Sequence, residues 1–444
     1  MFMSQAACGK SAVWTAGLVV GNLIGAGILG LPVSLGICGL LPSLILMAVY
    51  GALMFFSADV LTREAVERKS PFFDLPSLYS TYLGDWAKWV AIITNAIILY
   101  GLLTAYISGA SQIIADLLHI EKGNFFVPLG TAAVLSGITL LDLSIINKYN
   151  AVLVGALICA FGALLFLSFP AIHVSRLAET HWRYAPLAIP LIVTACHFHN
   201  IIPLLCRDLN WDLQAMRKAI LWGMAIALIM NILWTVCGIG TLPRYGRNSL
   251  VLAYLANLPA TVPMRNILDS HYFTFTAVFF SLTAIATSFI ANGIGLMNFL
   301  SDLFSSTTSE NPDTKGNRFL IRTAVFLPPV VIALFNPQIF LSALDVVGGV
   351  GIVTLFGILP CLIAILRPGR SKFFRFLGAL FLCFSLAAFS FAVVNITRGK
   401  PDLKKELRAP CKTVSVKCQP TLQYTSAGCI LEKGTSSFAI NRKK

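Results

Sequence analysis

Apolar residues along this chain come in long runs rather than in the spaced stripes of a water-facing helix. A spanning helix needs about 20 mostly apolar residues to cross roughly 30 Å of hydrocarbon, and runs of that kind recur from Ala12 to Ile396. The pattern predicts eleven spanning helices, at 12–36, 40–62, 87–116, 125–142, 151–172, 186–206, 219–241, 271–302, 323–336, 339–366 and 373–397. Pro328 and Pro329 interrupt the ninth, because a proline inside a helix removes a backbone donor. Residues 1–11 read as a short cytoplasmic lead. The stretch 398–444 carries Pro, Ser, Thr and Lys in place of apolar runs and reads as a basic, disordered tail.

Composition sharpens this picture. Hydrophobic residues make up 57% of the chain and charged residues 12%, with a mean hydropathy of +0.79, which no water-facing globular surface tolerates. Membrane lipid is the solvent, the fold class is an all-α polytopic membrane protein, and no soluble enzyme domain is expected. A net charge of +14 would suit nucleic acid if it covered one face, but the cations sit between the apolar runs and in the tail. Topology accounts for them better, and no nucleic-acid partner is expected. With the N-terminus inside, the cytoplasmic loops carry 16 Lys and Arg against 6 on the opposite side, as the positive-inside rule requires. Eleven spans then place the tail outside, although its 11 cations favour the cytoplasm. The eleven cysteines are irregularly spaced, and neither a metal site nor a cofactor is expected.

Two interruptions at membrane depth carry the chemistry. The first is Gly21-Asn22-Leu23-Ile24-Gly25-Ala26-Gly27-Ile28-Leu29-Gly30-Leu31-Pro32, a poor helix in the middle of an apolar run. Non-helical backbone in lipid is tolerated only where it lines a cavity or is buried in protein. Close packing of helices through small residues is the alternative. The second, in the sixth run, is Thr194-Ala195-Cys196-His197-Phe198-His199-Asn200-Ile201-Ile202-Pro203. Each begins about a dozen residues into its helix, so helices 1–5 and 6–10 read as two repeats, 12–172 and 186–366, with an extra helix at 373–397. Matched interruptions in two halves point to a midplane binding site.

A helix restarting after Gly25 offers the N–H groups of Ala26, Gly27 and Ile28 and a positive dipole end, which suit a carboxylate. Carbonyls ending the preceding half-helices, near Ile24 and His197, suit an ammonium. An α-amino acid carries both charges. His197 and His199 are too close in sequence to chelate a metal as an i, i+4 pair. Each is either a proton carrier or substrate contact, or a buried imidazole satisfied by a carbonyl. Thr287 and Ser288 either bond their own helix or supply oxygen ligands to a small cation. The metalloprotease, aspartyl and serine-hydrolase patterns of membrane enzymes are missing, and no span holds paired carboxylates, so an enzyme is the weaker reading.

At these residues the chain resembles the hydroxy and aromatic amino acid permease family, within the amino acid–polyamine–organocation transporters. The likeness rests on Gly21 to Pro32, on Tyr100 to Gly109, on Phe198-His199 with Pro203, and on Gly348 to Gly351 leading to Phe356 and Pro360. It implies a LeuT-type inverted five-helix repeat plus one helix. It also implies symport of tyrosine or tryptophan with a proton in a bacterial inner membrane, while a sister group carries serine or threonine. The substrate residues it suggests together with the breaks are Ile24, Gly25, Ala26, Gly27, Ile28, Tyr100, Phe198, His199 and Asn200. His199 is preferred to His197 because it alone fits the family's Phe-His pair. For ion coupling the candidates are Thr287, Ser288 and His199, with proton or sodium as the ion.

Overall fold

The structure is a computed structural model that describes residues 12–25, 27–68, 75–121, 124–140, 143–308, 314–398 and 403. The lead at 1–11, Ala26, and the tail beyond Arg398 apart from Leu403 lie outside the described residues. Every named element is a helix. The first span is a pair, α1 (Ala12–Leu23) and α2 (Gly27–Gly36), bent by 55°. Then come α3 (Leu40–Arg68), α4 (Leu75–Leu83), α5 (Asp85–Leu117), α6 (Phe126–Thr139), α7 (Leu143–Ser168) and α8 (Val174–Leu177). The sixth span is α9 (Ala185–Ala195) and α10 (Ile202–Asp208), joined through a 3-10 turn at His199–Ile201. After it follow α11 (Leu213–Thr241), α12 (Leu250–Leu255), α13 (Thr261–Leu268), α14 (His271–Thr308) and α15 (Lys315–Phe335). The tenth span opens with α16 (Phe340–Val346), widens into a π-helix at Val347–Ile358 and ends as α17 (Leu359–Leu366), before α18 (Lys372–Arg398).

Among the described residues nine helices are long and apolar enough to cross a membrane, and the bent α1–α2 pair makes a tenth. The expected fourth span corresponds to α6, a shorter apolar helix of 14 residues. The ninth differs most from expectation, since α15 begins at Lys315 and runs through both prolines. Pro328 leaves the Ala324 carbonyl without its i+4 donor, and the Tyr100 hydroxyl of α5 donates to that oxygen at 2.8 Å. The same device recurs in the tenth span. Pro360 takes the donor from the carbonyls four and five residues back, and Ser57 donates to Phe356 while Tyr79 donates to Leu355 at 2.6 Å. Neighbouring hydroxyls thus satisfy carbonyls that Pro328 and Pro360 free inside the spans.

The packing has a reciprocal form. The first span lies along α11 and the sixth along α3, while α2 and α9 pack on each other. Helices α5 and α14 also pack together; α5 touches α15 as α14 touches α6, and α5 touches the π-helix as α14 touches α7. Each of these contacts is repeated between the helices five spans away.

Near the ends of the spans, charged side chains pair. Glu64, buried at the end of α3, meets Arg370 at 2.6 Å and Arg367, both just beyond α17. Asp59 holds Arg217 of α11 at 3.0 Å.

Candidate substrate site at two broken helices

The two interruptions meet. Asn22, on the last turn of α1, donates its side-chain amide to the His197 carbonyl at 3.4 Å and to the Asn200 side-chain oxygen at 3.2 Å. One side chain therefore ties the end of the first half-helix to the unwound stretch of the sixth span, 175 residues away in sequence. Helix α1 stops at Leu23 because Gly25, Ala26 and Gly27 in succession have poor helix propensity, and α2 restarts at Gly27. Ile24 still donates to Val20 at 2.9 Å. The Ile28 N–H, expected among the free donors, is taken by the Gly25 carbonyl at 3.2 Å. That leaves the opening turn of α2 at Gly27 as the donor end on this side.

Glycine is needed here for close approach. A Cβ on Gly25 would stand 3.0 Å from the Ser288 Oγ, tighter than ordinary contact, whereas one on Gly27 would meet Ala195 and Thr194 at 3.6 and 3.7 Å. The first break is thus pressed between α14 on one side and the end of α9 on the other. Thr287 donates to the Thr283 carbonyl at 2.9 Å and to Ala284 at 3.2 Å within its own helix. Of the pair, Ser288 is the one brought to the break. It is also a hydrogen-bond partner of the Tyr106 hydroxyl, and Asn292 spans the two, 2.8 Å from the Ser288 carbonyl and 3.5 Å from Tyr106.

The second break is lined differently. Helix α9 closes with Cys196 donating to Ile192, and His197 donates its N–H to Thr194 at 3.2 Å. The chain then turns at Phe198, a fully buried ring, before the 3-10 turn. The His199 Nε2 lies 3.1 Å from the Met54 carbonyl of α3, and its ring stacks on Phe356 with centroids 4.7 Å apart. His197 meets Phe356 at 5.0 Å and is nearly parallel to His199 at 6.1 Å. Asn200 is exposed beside them.

Of the residues expected from sequence, Ile24, Gly25, Gly27, Ile28, His199, Asn200 and Ser288 are gathered at or beside the two breaks, with Phe198 packed behind. Ala26 lies outside the described residues. Tyr100 is held elsewhere, its hydroxyl occupied by the carbonyl that Pro328 frees. Sequence reasoning missed Asn22 and Tyr106. Asn22 stood inside the glycine run, the only polar side chain between Gly17 and Leu31, and that was the available signal. Tyr106 lay inside the matched stretch that drew attention to Tyr100, six residues away and so on another face of the helix.

An all-helical, multi-pass membrane protein with two broken spans bridged at their breaks is the class that fold and site define. The chain belongs to the tryptophan/tyrosine permease family, which matches residues 8–397. It is 31% identical to a tyrosine-specific transport system of Haemophilus influenzae over 338 residues, covering 74% of this chain and 82% of that protein. A low affinity tryptophan permease of Escherichia coli O157:H7 is 26% identical over 83% of this chain and 90% of its own. A tryptophan-specific transport protein of Haemophilus influenzae is 25% identical over 80% and 87%.

Proposed function

We propose that this protein is a secondary symporter that imports an aromatic amino acid, tyrosine or tryptophan, across the bacterial inner membrane together with a proton. The observation that carries the reading is the Asn22 bridge, which ties the end of the first half-helix, just before the break, to a carbonyl and a side chain of the other break. The substrate carboxylate meets the start of α2 at Gly27, and its ammonium meets the carbonyls that end α1 and α9. The relatives' tyrosine and tryptophan specificities supply the substrate class. The reciprocal packing of helices five spans apart supports two inverted repeats, 12–172 and 186–366, followed by the extra helix at 373–397. Alternating access is then movement of one set of spans against the other around the joined breaks. The cytoplasmic N-terminus follows from the distribution of Lys and Arg.

One co-transported charge contributes about 2.3 kcal/mol per 100 mV, roughly fifty-fold accumulation of a zwitterion at that potential. In proteoliposomes, labelled tyrosine or tryptophan should concentrate inside under an imposed proton gradient with sodium absent throughout, and a protonophore should abolish this. Accumulation of serine or threonine without the aromatic amino acids would overturn the substrate. A requirement for sodium that survives loss of the proton gradient and fails in the Thr287→Ala/Ser288→Ala double variant would move the coupling site to α14.

A further inference from the structure

The two histidines of the second break differ in one respect that the transport reading leaves unused. His199 is anchored through Nε2 to Met54 and is fully enclosed, with its other ring nitrogen, Nδ1, unpaired among the described residues. His197 is 9% exposed, and its Nε2 is buried with no hydrogen-bond partner among the described residues. A buried polar atom without a partner costs free energy, so such an atom at a binding site points to a ligand. Three placements say which part of a ligand. The His197 carbonyl accepts from Asn22, so the imidazole and the joined breaks share one peptide. Asn22 closes α1 just before α2 restarts at Gly27, so the His197 carbonyl that it holds lies beside the turn proposed to take the carboxylate. The His197 ring faces Phe356, itself buried, at 5.0 Å, so the imidazole is backed by an aromatic ring.

We propose, resting on the aromatic-substrate reading, that His197 reads the polar end of the substrate's ring: Nε2 accepts a hydrogen bond from the phenol O–H of tyrosine or the indole N–H of tryptophan. The imidazole is neutral, with its proton on Nδ1. Phenylalanine, which has the ring without the donor, leaves Nε2 unpaired and is discriminated against. His197 is a specificity residue, and Phe356 and His199 position it.

The test compares uptake of labelled tyrosine and tryptophan, and its inhibition by unlabelled phenylalanine, in the wild-type protein, His197→Phe and His197→Gln. In His197→Phe, which keeps a ring against Phe356 and removes the acceptor, the preference for tyrosine and tryptophan over phenylalanine should fall by about tenfold or more. Phenylalanine recognition should be kept, which also shows that the variant folds. His197→Gln, which retains an acceptor, should keep part of the preference. An unchanged preference in His197→Phe overturns the assignment, as does a parallel loss of all three amino acids in both variants. If the wild-type protein handles none of the three, the aromatic reading itself fails, and this outcome is separate from a wild-type protein that is selective without His197.

Discussion

The two breaks occupy corresponding places in their spans but are built from opposite materials. The first is nearly all backbone: glycines at 25 and 27, one bridging asparagine, and neighbours close enough to touch a Cβ. The second is nearly all side chain: two stacked imidazoles, Phe198, Asn200 and the facing Phe356. A zwitterionic head group is the same in every α-amino acid and is best met by fixed peptide dipoles, whereas the variable ring needs shaped and chosen side chains. On the proposed reading the backbone of the first break, with the carbonyls that end α9, meets the head group every amino acid shares, and the side chains of the second meet the part that differs.

The largest effect should come from filling the backbone side. Gly25→Val places methyl groups where even a Cβ stands 3.0 Å from Ser288, and uptake should fall on the order of 100-fold with every amino acid affected alike. Gly27→Ala, whose Cβ meets only ordinary contacts, should be tolerated far better. Near-normal transport by Gly25→Val in proteoliposomes would place the head-group site elsewhere. On the side-chain side, His199→Ala removes the Met54 contact and the stack on Phe356. Uptake should drop roughly tenfold or more, since buried hydrogen bond and packing are lost together. His197→Ala should lower total uptake less while changing selectivity, and the reverse order would dissolve the distinction between anchor and reader.

Asn22→Ala tests whether the two sides work as one. It leaves both breaks intact but removes the amide between them and its two hydrogen bonds, so substrate affinity should weaken by about tenfold. Unchanged binding would mean that packing alone holds the breaks together.

How much of this was readable beforehand follows the same division. Helical runs and both interruptions are local properties of composition, so the spans and the glycine and histidine clusters were visible in the chain itself. The matched offset of the breaks, about a dozen residues into each span, also pointed to their meeting. What the sequence hid were pairings across the fold. Tyr100 drew attention through its matched stretch, yet its partner is decided by Pro328, more than two hundred residues on, which frees the Ala324 carbonyl. Ser288 could not be separated from Thr287 until α14 was placed against Gly25, and Ile28 lost its free N–H to a turn that helix propensity does not encode.

Tyr100 therefore supplies a contrast remote from either break. Tyr100→Phe should leave the selectivity of transport unchanged, because the hydroxyl serves α15 rather than the substrate. It should lower thermal stability by about 1–3 kcal/mol, the cost of leaving the Ala324 carbonyl unpaired. Altered selectivity without loss of stability would return Tyr100 to the site.

The smallest effect belongs to Gly21, and it bears on whether every glycine of the first break is there for the same reason. Gly21 sits inside α1, one residue before Asn22, and a Cβ there would meet nothing within 4 Å. Its φ is not in the left-handed region, so an alanine is not strained. Nothing in the packing requires glycine, in contrast to Gly25. Gly21→Ala should stabilise α1 by at most about 1 kcal/mol through helix propensity and leave uptake of tyrosine or tryptophan within about twofold of the wild-type value. A thermal shift upward with unchanged transport would confine the steric requirement to Gly25 and its contact with α14. A loss of transport at normal stability would show that the open space beside Gly21 is used by the substrate or by the movement of α1, and the backbone half of the site would then extend a full turn below the break.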